Sequence, residues 1–138
     1  MSETEVRAAS DNFYAALNKM ANGDASSMAG VWSNAEGVTA MHPIGGREVG
    51  WDAVGESFNK VASISAGGKI SITDQKIQVL GDTAYEVAVE QGELQLGGHA
   101  VTIEHRVTNI YHREGGAWKM VHHHTDTSPA MLEILAKL

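Results

Sequence analysis

Seven histidines occur in this chain of 138 residues, and six of them fall between His99 and His124. Imidazole is the side chain that exchanges a proton near neutral pH, so a concentration of this kind invites acid–base or metal chemistry. His122, His123 and His124 are consecutive in a strand-like stretch, where side chains alternate between faces. Trp118, Met120, His122, His124 and Asp126 therefore share one face, and Lys119, Val121, His123, Thr125 and Thr127 the other. His122 and His124, with Asp126 or a neighbouring histidine, could chelate zinc or another imidazole-loving ion. The alternative is a pair of interface or hydrogen-bonded sheet histidines. No second motif with ligand spacing accompanies the pair, so no metal and no other cofactor is expected.

His42 is different in kind. It ends a short strand before Pro43 and Gly45-Gly46, a position that turns a side chain toward the space between helix and sheet. There it can serve as a general base or acid, or stand as a structural imidazole bonded to a backbone carbonyl. Trp32 offers an aromatic wall to a ligand, whereas Trp51 reads as core packing. Glu86 and Glu90 face one way along a strand, opposite to Tyr85, Val87 and Val89. The apolar set reads as the core face, which sends the glutamates to solvent or a subunit interface. A GxSxG nucleophile turn is absent, and neither Gly45-Gly46 nor Gly67-Gly68 has the residues of a phosphate loop.

The elements that must position these residues follow from periodicity. Val6, Ala9, Phe13, Ala16, Leu17 and Met20 recur at helical spacing over residues 4–21, and Gly23 suits a left-handed stop. A short helix over 25–33, a strand over 37–43 and a helix over 50–64 come next. The pattern then changes to strands at 69–80, 83–91, 98–112 and 117–127, with glycine turns between them that favour an antiparallel meander. A last helix over 128–138 has Ser128 as cap, Pro129 in its first turn, and Leu132, Leu135 and Leu138 along one stripe. Helices first and strands afterwards mean α+β.

Composition narrows the function classes. Cysteine is absent, which removes disulfides, thiolate metal sites and a cysteine nucleophile. Ten basic against seventeen acidic residues give −7, a poor match to nucleic acid and no attraction for anions. No apolar run is long enough to span a bilayer, and the polar start MSETEVRAAS lacks the features of a secretory signal. The expectation is a cytoplasmic protein without nucleic-acid or membrane partners.

The stretch FYAALNKMANGD, followed by VW, VTAMHPIGG and GWDAVGESF, and the ending NIYHREGGAWKMVHHHTD resemble the nuclear transport factor 2-like superfamily, more narrowly its SnoaL-like branch. The resemblance implies one such domain over residues 1–138. Its fold would be a cone-shaped, curved antiparallel β-sheet wrapped around N-terminal helices, also called cystatin-like, and commonly dimeric. The last hairpin is similar to the association domain of calcium/calmodulin-dependent kinase. That likeness implies that Asn109, His123 and Thr125 face a cavity, with Asn109 and Thr125 standing where that domain has arginines, and that His122 and His124 face the back of the sheet. The first half is similar to ketosteroid isomerase, in which a catalytic carboxylate occupies the place of His42. That enzyme's two oxyanion donors fall here at Phe13 and near Val107, which cannot donate. The functional expectation is a small-molecule pocket with isomerase- or cyclase-type proton transfer on a small apolar carbonyl compound. His42 would be the base, Asn109 and His123 would orient an oxygen, and Trp32, Tyr14 and Thr125 would add contacts. The alternatives are a ligand-binding module without chemistry and a dimerisation or assembly domain. A homodimer interface is expected at Ile110, Trp118, Met120, His122 and His124.

Overall fold

The computed structural model describes residues 2–138. Helix α1 (Ser2–Ala21) and the short α2 (Met28–Val31) lead into a hairpin of β1 (Thr39–His42) and β2 (Gly45–Val49). Helix α3 (Trp51–Ser63) precedes four long strands, β3 (Ser65–Leu80), β4 (Thr83–Leu96), β5 (His99–Glu114) and β6 (Ala117–Thr125). Helix α4 (Pro129–Leu135) closes the described chain. One six-stranded sheet runs in the order β2-β1-β6-β5-β4-β3. Its neighbours are antiparallel except β1 and β6, which are parallel, so this α+β fold has a mixed sheet. Among the described residues no helix is long and apolar enough to cross a membrane.

Strand β2 has no counterpart in the sequence reading, which takes Gly45-Gly46 as the end of β1. The two glycines instead begin the returning strand, and His42 pairs with Gly45 across the Pro43-Ile44 turn. The glycines at 67–68 and 92 also fall inside strands. Gly68 and Gly92 have φ of 124° and 146°. A Cβ on Gly92 would lie 1.9 Å from the Lys69 carbonyl oxygen, and one on Gly68 would lie 2.2 Å from that of Glu93. These two positions let β3 and β4 bend together more sharply than side chains would allow. The bend curls the sheet around α1.

Helix α1 lies on the inner face of that curl and buries Val6, Phe13, Leu17 and Met20 against it. Ser10 and Tyr14 are buried on the same stripe, so the helix carries two hydroxyls into the core with its apolar side chains. Helix α4 starts as its sequence indicates. The Ser128 hydroxyl accepts from the Met131 backbone N–H, and Pro129 occupies the first turn. Its buried residue is Met131, however, while Leu132 and Leu138 are 41% and 61% exposed, so the expected leucine stripe is not the packed face. The Ser128 backbone N–H donates to the Pro43 carbonyl at 2.8 Å, which ties the start of α4 to the β1–β2 turn beside His42.

Candidate functional site

The inner face of the sheet is polar at its centre. Glu86 and Glu90 of β4 are 0% and 2% exposed and point toward α1, the reverse of the expected orientation. Tyr85, Val87 and Val89 form the half-buried outer face. Alternation put the two sets on opposite faces; hydrophobicity then picked the wrong one as interior. The register explains what balances the buried carboxyls. Glu86 lies directly across from Asn109, Glu90 across from His105, and Asn109 across from His123.

Four donors converge on Glu86. The Ser10 hydroxyl and the Gln75 amide donate to one oxygen, each at 2.6 Å, and Asn109 (3.0 Å) and Tyr111 (2.8 Å) donate to the other. The Arg7 guanidinium in turn donates to the Gln75 side-chain Oε1. Glu90 accepts from His105 Nε2 at 2.7 Å and from the Tyr14 hydroxyl at 2.8 Å. Burial opposes ionisation of Glu90, but the bond from His105, the nearby imidazoles and the bond from Tyr14 outweigh it and hold the carboxyl below its usual range. Burial, reinforced by the Glu90 charge, pushes the Tyr14 phenol far up, so Tyr14 stays a proton donor at any ordinary pH. Ser10 and Tyr14 are one helical turn apart, about 6 Å of rise, while Glu86 and Glu90 are separated by roughly 13 Å of strand. The length of the tyrosine ring closes that difference.

A cavity of about 50 Å³ opens beside this network, with His42, Glu90, His105 and His123 as its polar lining. Its other lining side chains, among them Leu17, Phe58, Ile103 and Met131, are all apolar. The direction of every hydrogen bond at the imidazoles is determined from behind. His105 donates from Nε2 to Glu90, and its Nδ1 is buried without a partner. His123 Nδ1 lies 2.6 Å from Asn109 Oδ1 and must donate to it, because both protons of the Asn109 amide go to Glu86 and Tyr14. His42 Nε2 lies 2.8 Å from the Ser57 hydroxyl, whose own proton goes to the Val54 carbonyl at 2.5 Å, so His42 donates as well. Burial, with a contribution from His123, pushes the His42 pKa down to about 3, against a smaller opposing pull from Glu90. Burial also lowers that of His123. His42 packs edge-on against Phe58, with ring centroids 4.9 Å apart.

The remaining sequence candidates are distributed as follows. Tyr14 and Asn109 stand behind the cavity and orient Glu90 and His123. Asn109 has no N–H left with which to polarise a ligand oxygen. Trp32 is 1% exposed in the core against Trp51 and Phe58, outside the cavity lining. Thr125 is buried with an unpartnered hydroxyl and borders a groove on the other side of the sheet. Trp118 and Met120 are 7% and 0% exposed, so they cannot belong to an exposed dimer face. A bulge in β6 explains this. Tyr111 pairs with Met120 but Ile110 with His122, and the skipped Val121 reverses the alternation midway along the strand. Ile110, His122 and His124 do lie on the outer face; His122 is held at Nδ1 by Thr39 at 2.6 Å, and its ring is 5.8 Å from that of His124. Asp126, the third member of the metal reading, is paired with Arg106. Among the described residues no three His, Cys, Asp or Glu are grouped so as to hold a metal ion.

The sequence reading does not single out His105, Glu90 or Ser57 as site residues. One signal was available for the first two. A two-residue Gly97-Gly98 turn pairs Leu96 with His99, and counting back from it sets Glu90 opposite His105 and Glu86 opposite Asn109.

Comparison with known proteins agrees with this architecture. The family model described as the SnoaL-like domain matches residues 6–130. No curated protein matches the chain. A dehydratase candidate of the nuclear transport factor 2-like family from Streptomyces avermitilis superposes with a TM-score of 0.79 at 23% identity, covering 92% of this chain and 96% of that one. A candidate calcium/calmodulin-dependent protein kinase type II association domain from Thiobacillus denitrificans gives 0.73 at 23% identity, over 88% and 94% of the two chains. A candidate aromatic ring hydroxylase from Novosphingobium aromaticivorans gives 0.76 at 21% identity, over 90% and 87%. At these identities the likeness concerns the fold.

Proposed function

The chain belongs to the SnoaL-like domain family, and from that membership together with its cavity we propose that it is an acid–base catalyst moving a proton on a small, uncharged, mostly hydrocarbon compound. His105 is the base. The observation that carries this reading is its orphaned Nδ1, buried on a ring that lines the cavity while the opposite nitrogen is held by Glu90. A carboxylate behind an imidazole fixes its tautomer and stabilises the imidazolium that forms when the free nitrogen takes a proton. His42, the base expected from the sequence, is the weaker choice, because a group with a pKa of about 3 gives up its proton too readily to remove one at neutral pH. The similarity to a dehydratase candidate is consistent with proton removal followed by loss of a leaving group. A cavity of about 50 Å³, well below the roughly 300 Å³ at which drug-sized pockets begin, favours a substrate of few atoms. Within this reading the cytoplasm remains the compartment.

The test uses 4-hydroxybutan-2-one, a small open-chain ketone whose carbon-bound proton and hydroxyl leave together as water to give an enone. Ultraviolet absorbance follows the enone, and mass spectrometry follows deuterium uptake from heavy water. Turnover falls by about 10²-fold or more in His105→Ala and persists in His124→Ala, which alters an exposed outer histidine. Equal rates in the wild type and His105→Ala, or no rate above buffer, refute the base.

A second reading, assembly, is supported by the outer face. Tyr85, Val87, Val89 and Ile110 form a half-buried apolar strip beside an open groove of about 690 Å³. The family resemblance and the similarity to an association domain suggest a second copy of the chain as its cover. The dimer is compatible with catalysis, since the groove and the cavity lie on opposite faces. Light scattering at micromolar concentration gives twice the 14.7 kDa chain mass if this holds, and the chain mass alone if it does not.

A further inference from the structure

The cavity's hydrogen-bonding inventory is one-sided. Three imidazoles line it, and each has one nitrogen committed as a donor to a group behind it: His105 to Glu90, His123 to Asn109 and His42 to Ser57. In a neutral imidazole the other nitrogen is then a lone pair. The fourth polar group, Glu90, is an acceptor at both oxygens. Every remaining lining side chain is apolar. The donors that bond the polar lining groups or their partners are used elsewhere, the Tyr14 hydroxyl on Glu90, the Asn109 amide on Glu86 and Tyr14, and the Ser57 hydroxyl on Val54, and the unpartnered Trp32 Nε1 and Thr125 hydroxyl belong to residues outside the lining. The lining side chains therefore present acceptors and no donor.

We propose that this cavity recognises its ligand through a hydroxyl group, taking a small alcohol with a hydrocarbon frame and rejecting the ketone of the same skeleton. The inference rests on the cavity being a ligand site, as the proposed function requires, but not on His105 acting as a base. A hydroxyl proton entering the cavity finds a lone pair. A compound whose one polar group is a ketone meets other lone pairs with its oxygen and loses its bonds to water without replacement, whereas a hydroxyketone brings the hydroxyl that the cavity accepts. The imidazoles cannot turn to accommodate it, because exchanging the protonated nitrogen of His105 would face a lone pair with the Glu90 carboxylate. The same exchange at His123 would face a lone pair with Asn109 Oδ1. At about 50 Å³ the cavity has about a third of the roughly 150 Å³ that admits a benzene-sized molecule, so a three-carbon skeleton is a suitable probe.

One variant should reverse the preference. In Glu90→Gln the new side chain has one acceptor and one donor end. Tyr14 receives a bond from Asn109 and must pass its own proton on, so the Gln carbonyl turns to Tyr14. The amide N–H2 then faces His105 Nε2, which has to accept. The ring proton moves to Nδ1, and the cavity gains a donor. Calorimetric titration of propan-2-ol and acetone into the intact protein near neutral pH reads both effects. The alcohol binds the wild type at least about tenfold more tightly than the ketone, and in Glu90→Gln that ratio falls to about one or below. Equal affinities in the wild type, a tighter ketone, or no binding of either probe at about 100 mM overturns the proposal. An alcohol preference that survives unchanged in folded Glu90→Gln does so as well. The wild-type comparison stands without any variant. Failure of the base is a separate result, because it shows in 4-hydroxybutan-2-one turnover, as no rate above buffer or as equal rates in the wild type and His105→Ala, and leaves the alcohol preference in place.

Discussion

Acid should destabilise this fold earlier than its carboxyl groups alone would suggest, and His42 supplies the working number. Its pKa falls from the ordinary 6.5 to about 3 in the folded chain, chiefly because the ring is buried. The unfolded chain thus binds a proton at this site over a pH range in which the folded chain does not. Stability is complete above about pH 6.5 and drains as the pH falls toward 3, where the folded site finally protonates. Linkage puts the loss from His42 at about 3 kcal/mol by pH 4.5, a large share of the 5–15 kcal/mol that holds a typical domain together. His122 and His123, lowered chiefly by burial, and Glu90, lowered by its donors despite burial, act in the same direction. The perturbation is His42→Gln, which keeps an amide donor for Ser57 and cannot titrate. Urea unfolding of both proteins, followed by tryptophan fluorescence, is measured at intervals from about pH 7.5 to 4.5. The substitution shifts the whole curve by a constant, so the slopes carry the result: the wild type loses about 3 kcal/mol more than the variant across that range. Parallel curves would falsify the assignment of His42 as a buried neutral imidazole.

Two further substitutions test other parts of the structure. Glu86→Leu strands three buried donors, Ser10, Asn109 and Tyr111, and the half-buried Gln75 amide, each buried one worth about 1–3 kcal/mol when unpaired, and should leave the chain unfolded or nearly so. Tyr111→Phe removes only one of the four and costs about 1 kcal/mol; urea midpoints separate the two, and a Glu86→Leu protein as stable as Tyr111→Phe contradicts the network. Val89→Asp places a charge in the outer apolar strip without touching the interior, so light scattering should show the chain mass while circular dichroism is unchanged.

The fold was largely legible because its segments obey their own periods. Val6 to Met20 announce α1 at helical spacing, and β4 to β6 announce themselves by alternation and by glycine pairs at 97–98 and 115–116. The errors came from glycine and from a bulge. Gly68 and Gly92 read as breaks because glycine is depleted inside strands, whereas here a strand crossing too tight for a Cβ requires them. Nothing local in KMVHHH reveals that Val121 is skipped. The register shift appears only when β6 is laid against β5, and it moved Trp118 and Met120 from a supposed surface into the core.

The site was less legible for a physical reason. Hydrophobicity decides which face of a strand is inside when burial of apolar area dominates, and each buried carboxyl violates that rule at a cost of several kcal/mol unless its hydrogen bonds are made. This chain violates it twice in one strand and makes six hydrogen bonds to the two groups, drawn from α1, β3 and β5. Replacing such a network with packed hydrocarbon is often neutral or stabilising in other proteins. The arrangement is therefore hard to explain by stability, and its effect at the cavity offers another explanation. Glu90 fixes the proton of His105. Glu86 engages one Asn109 proton, and Tyr14 takes the other, so Asn109 can only accept from His123. The two carboxyls thereby set which nitrogen each of two imidazoles leaves free, and a lone pair with a determined position is what a base or a selective acceptor needs. On this argument Glu86, which touches nothing in the cavity, is a positioning residue. Glu86→Gln keeps the side chain's shape but lets Asn109 turn its amide around, and it should change the alcohol-to-ketone binding ratio more than it changes the urea midpoint. A loss of stability with the ratio intact would reduce Glu86 to a structural role.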